Sequence, residues 1–349
     1  MIKRILYTLL IMFPVLASAQ INTDRVMAIG RNALYFEDYV LSIQYFNQVI
    51  NAKPYLSDPY FYRGLAKINL DDFQGAESDC SEAIERNPFV VSAYQVRGLA
   101  RIQQNNFAGA IEDYTKALEF DPENIGVWHN MALCRIRQED YKGAKNDLDK
   151  LIAISPRYTK AYLMRGEVDL KQKDTLAAEK DFGKAIEIDR YDADTWASRA
   201  ILRLQQQRYK DAEADFDHAI RLSTRNSGVY INRALARYHQ NNLRGAMSDY
   251  DIALDIDPNN FIGHYNRGLL RAQVGDDNRA IQDFNFVIEM EPDNMMAIFN
   301  RGLLLDQTGD YKGAIKDYST VINEYPNFVI GYQLVDEFRL HFLAEYSCL

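Results

Sequence analysis

Residues 58–88 read DPYFYRGLAKINLDDFQGAESDCSEAIERNP, and residues 92–122 read SAYQVRGLARIQQNNFAGAIEDYTKALEFDP. Laid over each other at a spacing of 34 residues, Tyr60 meets Tyr94, Arg63 meets Arg97, Gly64 meets Gly98, Ala76 meets Ala110, Asp79 meets Asp113 and Pro88 meets Pro122. The register runs on along the chain. Proline returns at Pro54, Pro88, Pro122, Pro156, Pro258, Pro292 and Pro326, and Arg190 and Thr224 stand at the two remaining points. Ala76, Ala110, Ala144, Ala178, Ala212, Ala246, Ala280 and Ala314 recur without exception. Self-similarity at one fixed period makes the chain a linear array of small units, each of which buries its apolar face against its neighbours. Arrays of that kind bind more often than they catalyse.

Each unit reads as two helices. From Asp58 to Leu70 bulky apolar residues recur at helical spacing around small Gly64 and Ala66, and the pattern stops at Asp71-Asp72. A second amphipathic run, Phe73 to Glu85, stops before Pro88, which lacks the N–H a continuing helix needs. The rows of Gly64 and Ala76 let two helix backbones approach closely. Glycine inside a helix costs about 1 kcal/mol relative to alanine, so its recurrence implies packing that offsets the loss.

Units of 34 residues with an aromatic, a small residue, an alanine and a closing proline at these offsets resemble tetratricopeptide repeats. The resemblance covers residues 23–326 as nine units, of which 23–54 is a divergent N-terminal cap. It implies an all-α fold: a right-handed α-solenoid superhelix of antiparallel helix pairs, with the first helix of each pair lining a concave groove that holds peptides or partner proteins. Residues 327–349 begin a partial tenth unit or a C-terminal capping helix. Phe338, Leu340, Phe342, Leu343 and Tyr346 are too many apolar residues for one buried face, so that surface is covered or the chain is a shortened form of a longer one.

The first nineteen residues stand outside the array. Lys3 and Arg4, the apolar stretch Ile5–Leu16 and the small residues Ala17-Ser18-Ala19 form the three parts of a secretory signal. A cut near Ala19 and a periplasmic or secreted product are the expectation. Membrane contact would then arise only through an uncleaved signal segment, and twelve apolar residues are short for a span. The net charge of −9 becomes −11 when Lys3 and Arg4 leave. An acidic surface argues against nucleic acid, whose binding needs cations that displace counterions. The three cysteines fall in different units, Cys80 and Cys134 at packing positions, so no structural disulfide is expected.

Eight aspartates, Asp79, Asp113, Asp147, Asp181, Asp215, Asp249, Asp283 and Asp317, share one row. A residue needed by every unit serves structure, and a partner row exists in Arg63, Arg97, Arg165, Arg199, Arg233, Arg267 and Arg301. One helical turn later Lys67, Arg101, Arg135, Arg203, Arg237 and Arg271 form a second basic row. Where the first row fails, at Met131, Arg135 remains to meet Asp147. The first unit, with Ile29 and Ala33, loses both cations and carries Tyr45 in the aspartate row. The simplest reading is an inter-helix Arg–Asp pair repeated along the array, since the planar guanidinium matches a carboxylate with two hydrogen bonds.

Signatures of chemistry are lacking. The five histidines form no HExxH pattern, and no GxSxG, GxxxxGK[ST] or GxGxxG stretch occurs, so no enzyme, metal or cofactor is expected. If the first helices line a groove as the resemblance implies, Phe61, Tyr62, His129, Asn130, Asn232, Tyr265, Asn266, Phe299 and Asn300 face it. Asparagine can donate to and accept from a bound backbone, while the aromatics supply apolar contact. The alternative is that these asparagines bridge neighbouring helices. The Lys/Asn/Arg set by which some family members clamp a terminal carboxylate does not line up here. Three readings of function follow: a non-catalytic scaffold binding a peptide or protein segment in the groove, an accessory region of a larger cell-envelope enzyme or peptidoglycan-associated complex, or a purely structural spacer.

Overall fold

The structure is a computed structural model and describes residues 22–223 and 225–324. The calls on the signal segment, Pro326, Cys348 and residues 327–349 therefore lie outside the described residues. Eighteen α-helices follow one another: α1 (Thr23–Tyr35), α2 (Tyr39–Ala52), α3 (Asp58–Ile68), α4 (Phe73–Arg86), α5 (Val91–Gln103), α6 (Phe107–Phe120), α7 (Ile125–Arg137), α8 (Tyr141–Ile154), α9 (Thr159–Lys171), α10 (Thr175–Ile188), α11 (Ala193–Gln205), α12 (Tyr209–Leu222), α13 (Ser227–His239), α14 (Leu243–Ile256), α15 (Phe261–Gln273), α16 (Asp277–Met290), α17 (Met295–Gln307) and α18 (Tyr311–Glu324). They pack as sequential antiparallel pairs in the order of a tetratricopeptide-like solenoid. Two compact units are present, one ending at Ala161 and the other starting at Tyr162.

Within the first unit, α1–α2, α3–α4, α5–α6 and α7–α8 are the hairpins, and α2, α4 and α6 pack onto the next hairpin. In the second, α11–α12, α13–α14, α15–α16 and α17–α18 repeat the arrangement. Neighbouring first helices also touch, α1 against α3, α3 against α5, α11 against α13 and α15 against α17.

The turn inside each hairpin is built the same way. Glu37, Asp71, Asn105, Glu139, Lys173, Gln207 and Asn241 have φ between 58° and 64°, and Gly275 and Gly309 take the same place at 81° and 90°. The next residue caps the second helix: the carboxylate of Asp38, Asp72, Asp140 or Asp174, or the amide oxygen of Asn106 or Asn242, accepts from a backbone N–H three residues on. Such a cap satisfies a donor the helix cannot, worth about 1 kcal/mol.

The core explains the small-residue row. Phe46, Cys80, Tyr114, Leu148, Phe182, Phe216, Tyr250 and Phe284, one per second helix, are all buried. Each lies against the first helix of its hairpin. A Cβ on Gly98 would stand 2.8 Å from the Tyr114 ring, and one on Gly166 would stand 2.6 Å from the Phe182 ring. Glycine is required there by close approach rather than by backbone conformation.

Candidate partner-binding surface

The charged rows sit where the two helices of a hairpin meet. In the first unit Arg63 Nε donates to Asp79 Oδ2 at 2.8 Å, and Lys67 Nζ lies 2.9 Å from the same oxygen. Arg97 and Arg101 both hold Asp113, the closest contacts being 2.6 and 3.0 Å. Asp147 has one cation, Arg135, whose Nε donates to Oδ2 at 2.7 Å while its Nη1 turns to Asp140. Met131, in place of the missing arginine, is buried in the apolar cluster of Tyr114, Val127 and Cys134.

In the second unit Arg165 meets Asp181 with two hydrogen bonds of 2.6 and 2.8 Å, and Arg301 meets Asp317 at 2.8 and 2.7 Å. Asp215 is held by Arg199 and Arg203, and Asp249 by Arg233 and Arg237. Asp283 takes three partners: Arg267, Arg271 and His264, whose Nδ1 lies 2.9 Å from Oδ1. The structure thus brings every named arginine to its named aspartate. These carboxylates are buried and consumed by internal cations, so none is available to a substrate.

Five of these arginines have a second hand that the sequence reading missed. Arg63 Nη1 donates to Asn47, Arg97 Nη1 to Ser81, Arg233 Nη1 to Asp217, Arg267 Nη1 to Asp251 and Arg301 Nη1 to Asn285. Each acceptor lies on the second helix of the preceding hairpin. The guanidinium therefore ties two repeats together as well as two helices. The later basic row does likewise: Arg101, Arg203 and Arg237 reach Glu77, Glu179 and Glu213, one hairpin back. A 16-residue offset from arginine to a polar residue was the available signal, but the acceptor changes type from unit to unit.

Electrostatics distinguish members of the aspartate row, and burial raises the Asp113 carboxyl despite Arg97 and Arg101. Burial pushes the Asp147 carboxyl up to about 6, and Arg135 offsets only part of that. For Asp283, burial alone would raise the carboxyl, but His264 and Arg267 bring it below its ordinary value. Burial also pushes the Cys80 thiol up to about 12 and Cys134 to about 11, and both thiols are free. They are packing groups, unreactive at neutral pH. Among the described residues no cluster of side chains fits a metal ion, and no helix is long and apolar enough to cross a membrane.

The candidate contact residues do not fare alike. Tyr62 is half-buried against Phe46 and Phe61, with ring centroids 5.7 and 5.0 Å apart. Phe61 also packs on the cluster of Ile50, Tyr60, Ala83 and Ala93. His129 is engaged by the Tyr158 hydroxyl at 3.3 Å, and burial with nearby Lys160 lowers its pKa. Asn130, Asn232, Asn266 and Phe299 remain partly exposed. Tyr265 and Asn300 differ from the expectation of open groove positions. Tyr265 is buried in the cluster of Phe284, Val287 and Met296, and its hydroxyl accepts from Asn300 Nδ2 at 3.2 Å. The reason is packing: the Tyr265 ring is held edge-on by Phe284, and Asn300 is held by the bond to its hydroxyl.

Asn266 and Asn300 nevertheless share a cavity of about 400 Å³ in the second unit. Its wall comes from α13, α15 and α17, with Tyr250 of α14 and Phe284 of α16 as floor. Tyr238, Leu269, Gln273, Leu303 and Gln307 complete the mouth, and no lining residue is charged. Tyr250 is 2% exposed, and burial raises its phenol, so the group stays an O–H donor at physiological pH.

An all-helical array of this kind, with similar hairpins stapled by ion pairs and a cavity across its first helices, is the architecture of a repeat scaffold. Comparison with known families agrees. The pattern described as TPR repeat matches residues 98–134, and that described as tetratricopeptide repeat matches 125–158, 159–192, 198–261 and 265–327. The chain belongs to the tetratricopeptide repeat family. No curated protein matches it. Among solved structures it is similar to a tetratricopeptide repeat protein from Parabacteroides merdae, with 21% identity over 71% of this chain and 98% of that one (TM-score 0.55). It is also similar to pilF of Pseudomonas aeruginosa, with 19% identity over 62% of this chain and 97% of that one (TM-score 0.52). A chain of the APC/C hetero-tetramer Cut9–Hcn1 aligns at 13% identity over 84% of this chain and 57% of that one (TM-score 0.55). At these identities the likeness concerns the fold.

Proposed function

We propose that this scaffold holds an extended, uncharged segment of a protein partner against its first helices, chiefly in the α13–α15–α17 cavity, and carries out no chemistry itself. The wall of that cavity carries the reading. Asn266, Gln273 and Gln307 offer groups that both donate and accept, as an extended backbone requires, and Leu269, Leu303 and Leu304 offer a place for one bulky apolar side chain. The lack of any charge in the lining sets this wall apart from a carboxylate clamp, which needs cations at the contact.

A photo-crosslinking residue placed at Gln273 or Gln307 tests the reading in cells that make the protein. One discrete protein adduct at both positions, absent from the same residue at exposed Lys116, is the expected result. Equal labelling at all three positions would overturn it. We further infer a location outside the cytoplasm, resting on the three-part segment of residues 1–19. Mature protein whose first residue is Gln20 supports this, and a cytoplasmic chain retaining Met1 refutes it.

A further inference from the structure

One of the two points where the proline register lapses, Arg190, lies in the wall of a second cavity, of about 440 Å³. It opens where α10 ends, α11 begins and α12 ends, away from the cavity just described, and Ile186, Arg190, Tyr191, Trp196, His218 and Arg221 form most of its wall. Trp196 is fixed: its ring stacks on His218 at 4.2 Å, its Nε1–H donates to the Arg190 carbonyl at 3.0 Å, and the Arg199 guanidinium lies 5.0 Å from its centroid. Arg199 is occupied by Asp215. Arg190 and Arg221, in contrast, make no ion pair with any described residue.

The charge here is inverted relative to the rest of the array. Arg221 occupies a row that reads Glu85, Glu119, Ala153, Glu187, then Asp255 and Glu289 on its other side. Arg190 occupies the proline row. One repeat boundary has thus acquired two cations, one in a row where five of the six named counterparts are acidic and one in the proline row, in a chain of net charge −9. A helix C-terminus favours cations, but Glu85, Glu119, Glu187, Asp255 and Glu289 stand in this row on other helices, so that preference does not account for Arg221. Glu187, also in the wall, is already paired with Lys184 at 2.8 Å.

We infer that this notch is a second docking site, which takes an acidic segment of a protein partner in which an Asp or Glu lies beside a bulky apolar or aromatic residue. The carboxylate pairs with Arg190 and Arg221, whose forks suit it. The neighbouring side chain packs on Ile186, Tyr191 and the exposed edge of Trp196. That apolar wall is what favours a peptide over a free anion.

A random-peptide display library panned against the wild-type protein and against R190Q/R221Q isolates the site, because both variants keep the α13–α15–α17 cavity. Peptides with Asp or Glu within two residues of an aromatic or branched apolar residue should be enriched on the wild type and not on the double variant. In a Trp128→Phe background, an enriched peptide should shift Trp196 emission, and binding should weaken roughly ten-fold or more in R190Q/R221Q or when its acids become amides. Unchanged thermal unfolding of the double variant serves as the folding control. Enrichment that is the same on both proteins, or that shows no acidic preference, overturns the inference. So does inorganic phosphate displacing the peptide at equal concentration, which would mark a bare anion site. Either failure leaves the neutral cavity of the second unit as a separate question.

Discussion

Replacing Asp249 with asparagine should cost the second unit about 2–3 kcal/mol, and the figure follows from its contacts. Asp249 accepts from Arg233 Nε at 3.0 Å, Arg233 Nη2 at 2.6 Å and Arg237 Nη1 at 2.8 Å, with 1% of its side chain exposed. An amide keeps one acceptor oxygen and turns an NH2 toward the remaining guanidinium donors, so two charge-assisted bonds are lost at about 1.5 kcal/mol each. Leaving a buried cation wholly alone would cost more, about 3–5 kcal/mol. Here Arg233 keeps Asp217 at 2.7 Å and Arg237 keeps Glu213 at 2.7 Å, which places the expectation at the lower end. Urea or thermal unfolding of Asp249→Asn, of Arg233→Met/Arg237→Met and of the triple variant closes a double-mutant cycle. The asparagine should cost much less once the arginines are gone, giving a coupling of at least about 1 kcal/mol. Additivity to within about 0.5 kcal/mol would refute the pairing account and reopen a ligand role for the row.

Asp147→Asn should behave differently from its counterpart. Folding raises the Asp147 carboxyl from 3.8 to about 6, so between those values the folded chain binds the extra proton and stability falls as pH rises through that window. A difference of that size corresponds to at most about 3 kcal/mol, reduced to about 1 kcal/mol by solvent screening at part-exposed Arg135. The asparagine variant should flatten the slope of stability between pH 4 and 6, and an unchanged slope counts against the assignment. Gly98→Ala should destabilise by about 1–3 kcal/mol through the Tyr114 ring. Gly183→Ala, with nothing within 4 Å of the new methyl, should stabilise by about 0.5–1 kcal/mol; the same sign for both in thermal melts would show that packing does not distinguish them. Lys173 holds φ at 64°, so Lys173→Gly should stabilise by about 0.5–1 kcal/mol, and a loss in denaturant titration would speak against strain there.

The sequence revealed what recurs in kind and hid what recurs only in geometry. The proline, alanine and aspartate rows repeat a residue type, so they announced the helix pairs and their register. The turn residue with positive φ is equally periodic, yet it is glutamate, aspartate, asparagine, lysine or glutamine in seven units and glycine in two, because the backbone selects it and the side chain does not. The second hand of Arg63, Arg97, Arg233, Arg267 and Arg301 escaped for the same reason, its acceptor being Asn47, Ser81, Asp217, Asp251 or Asn285. Of the contact residues, Asn266 and Asn300 could be named from their row. Their shared cavity could not, since it depends on how Leu269, Leu303 and Tyr250 fill the space around them.

The arginine that grips the preceding hairpin as well as its own gives the array a mechanical character. Under tension a hairpin cannot peel away while its neighbour is untouched, because the guanidinium must release a side chain on each before either is free. Rupture then comes one repeat at a time, each event freeing about 34 residues, or roughly 12 nm of chain at about 3.6 Å per residue. The hairpin of α7 and α8 lacks this clasp, with Met131 where the arginine would be. In a force-extension trace of the first unit it is the joint that yields first.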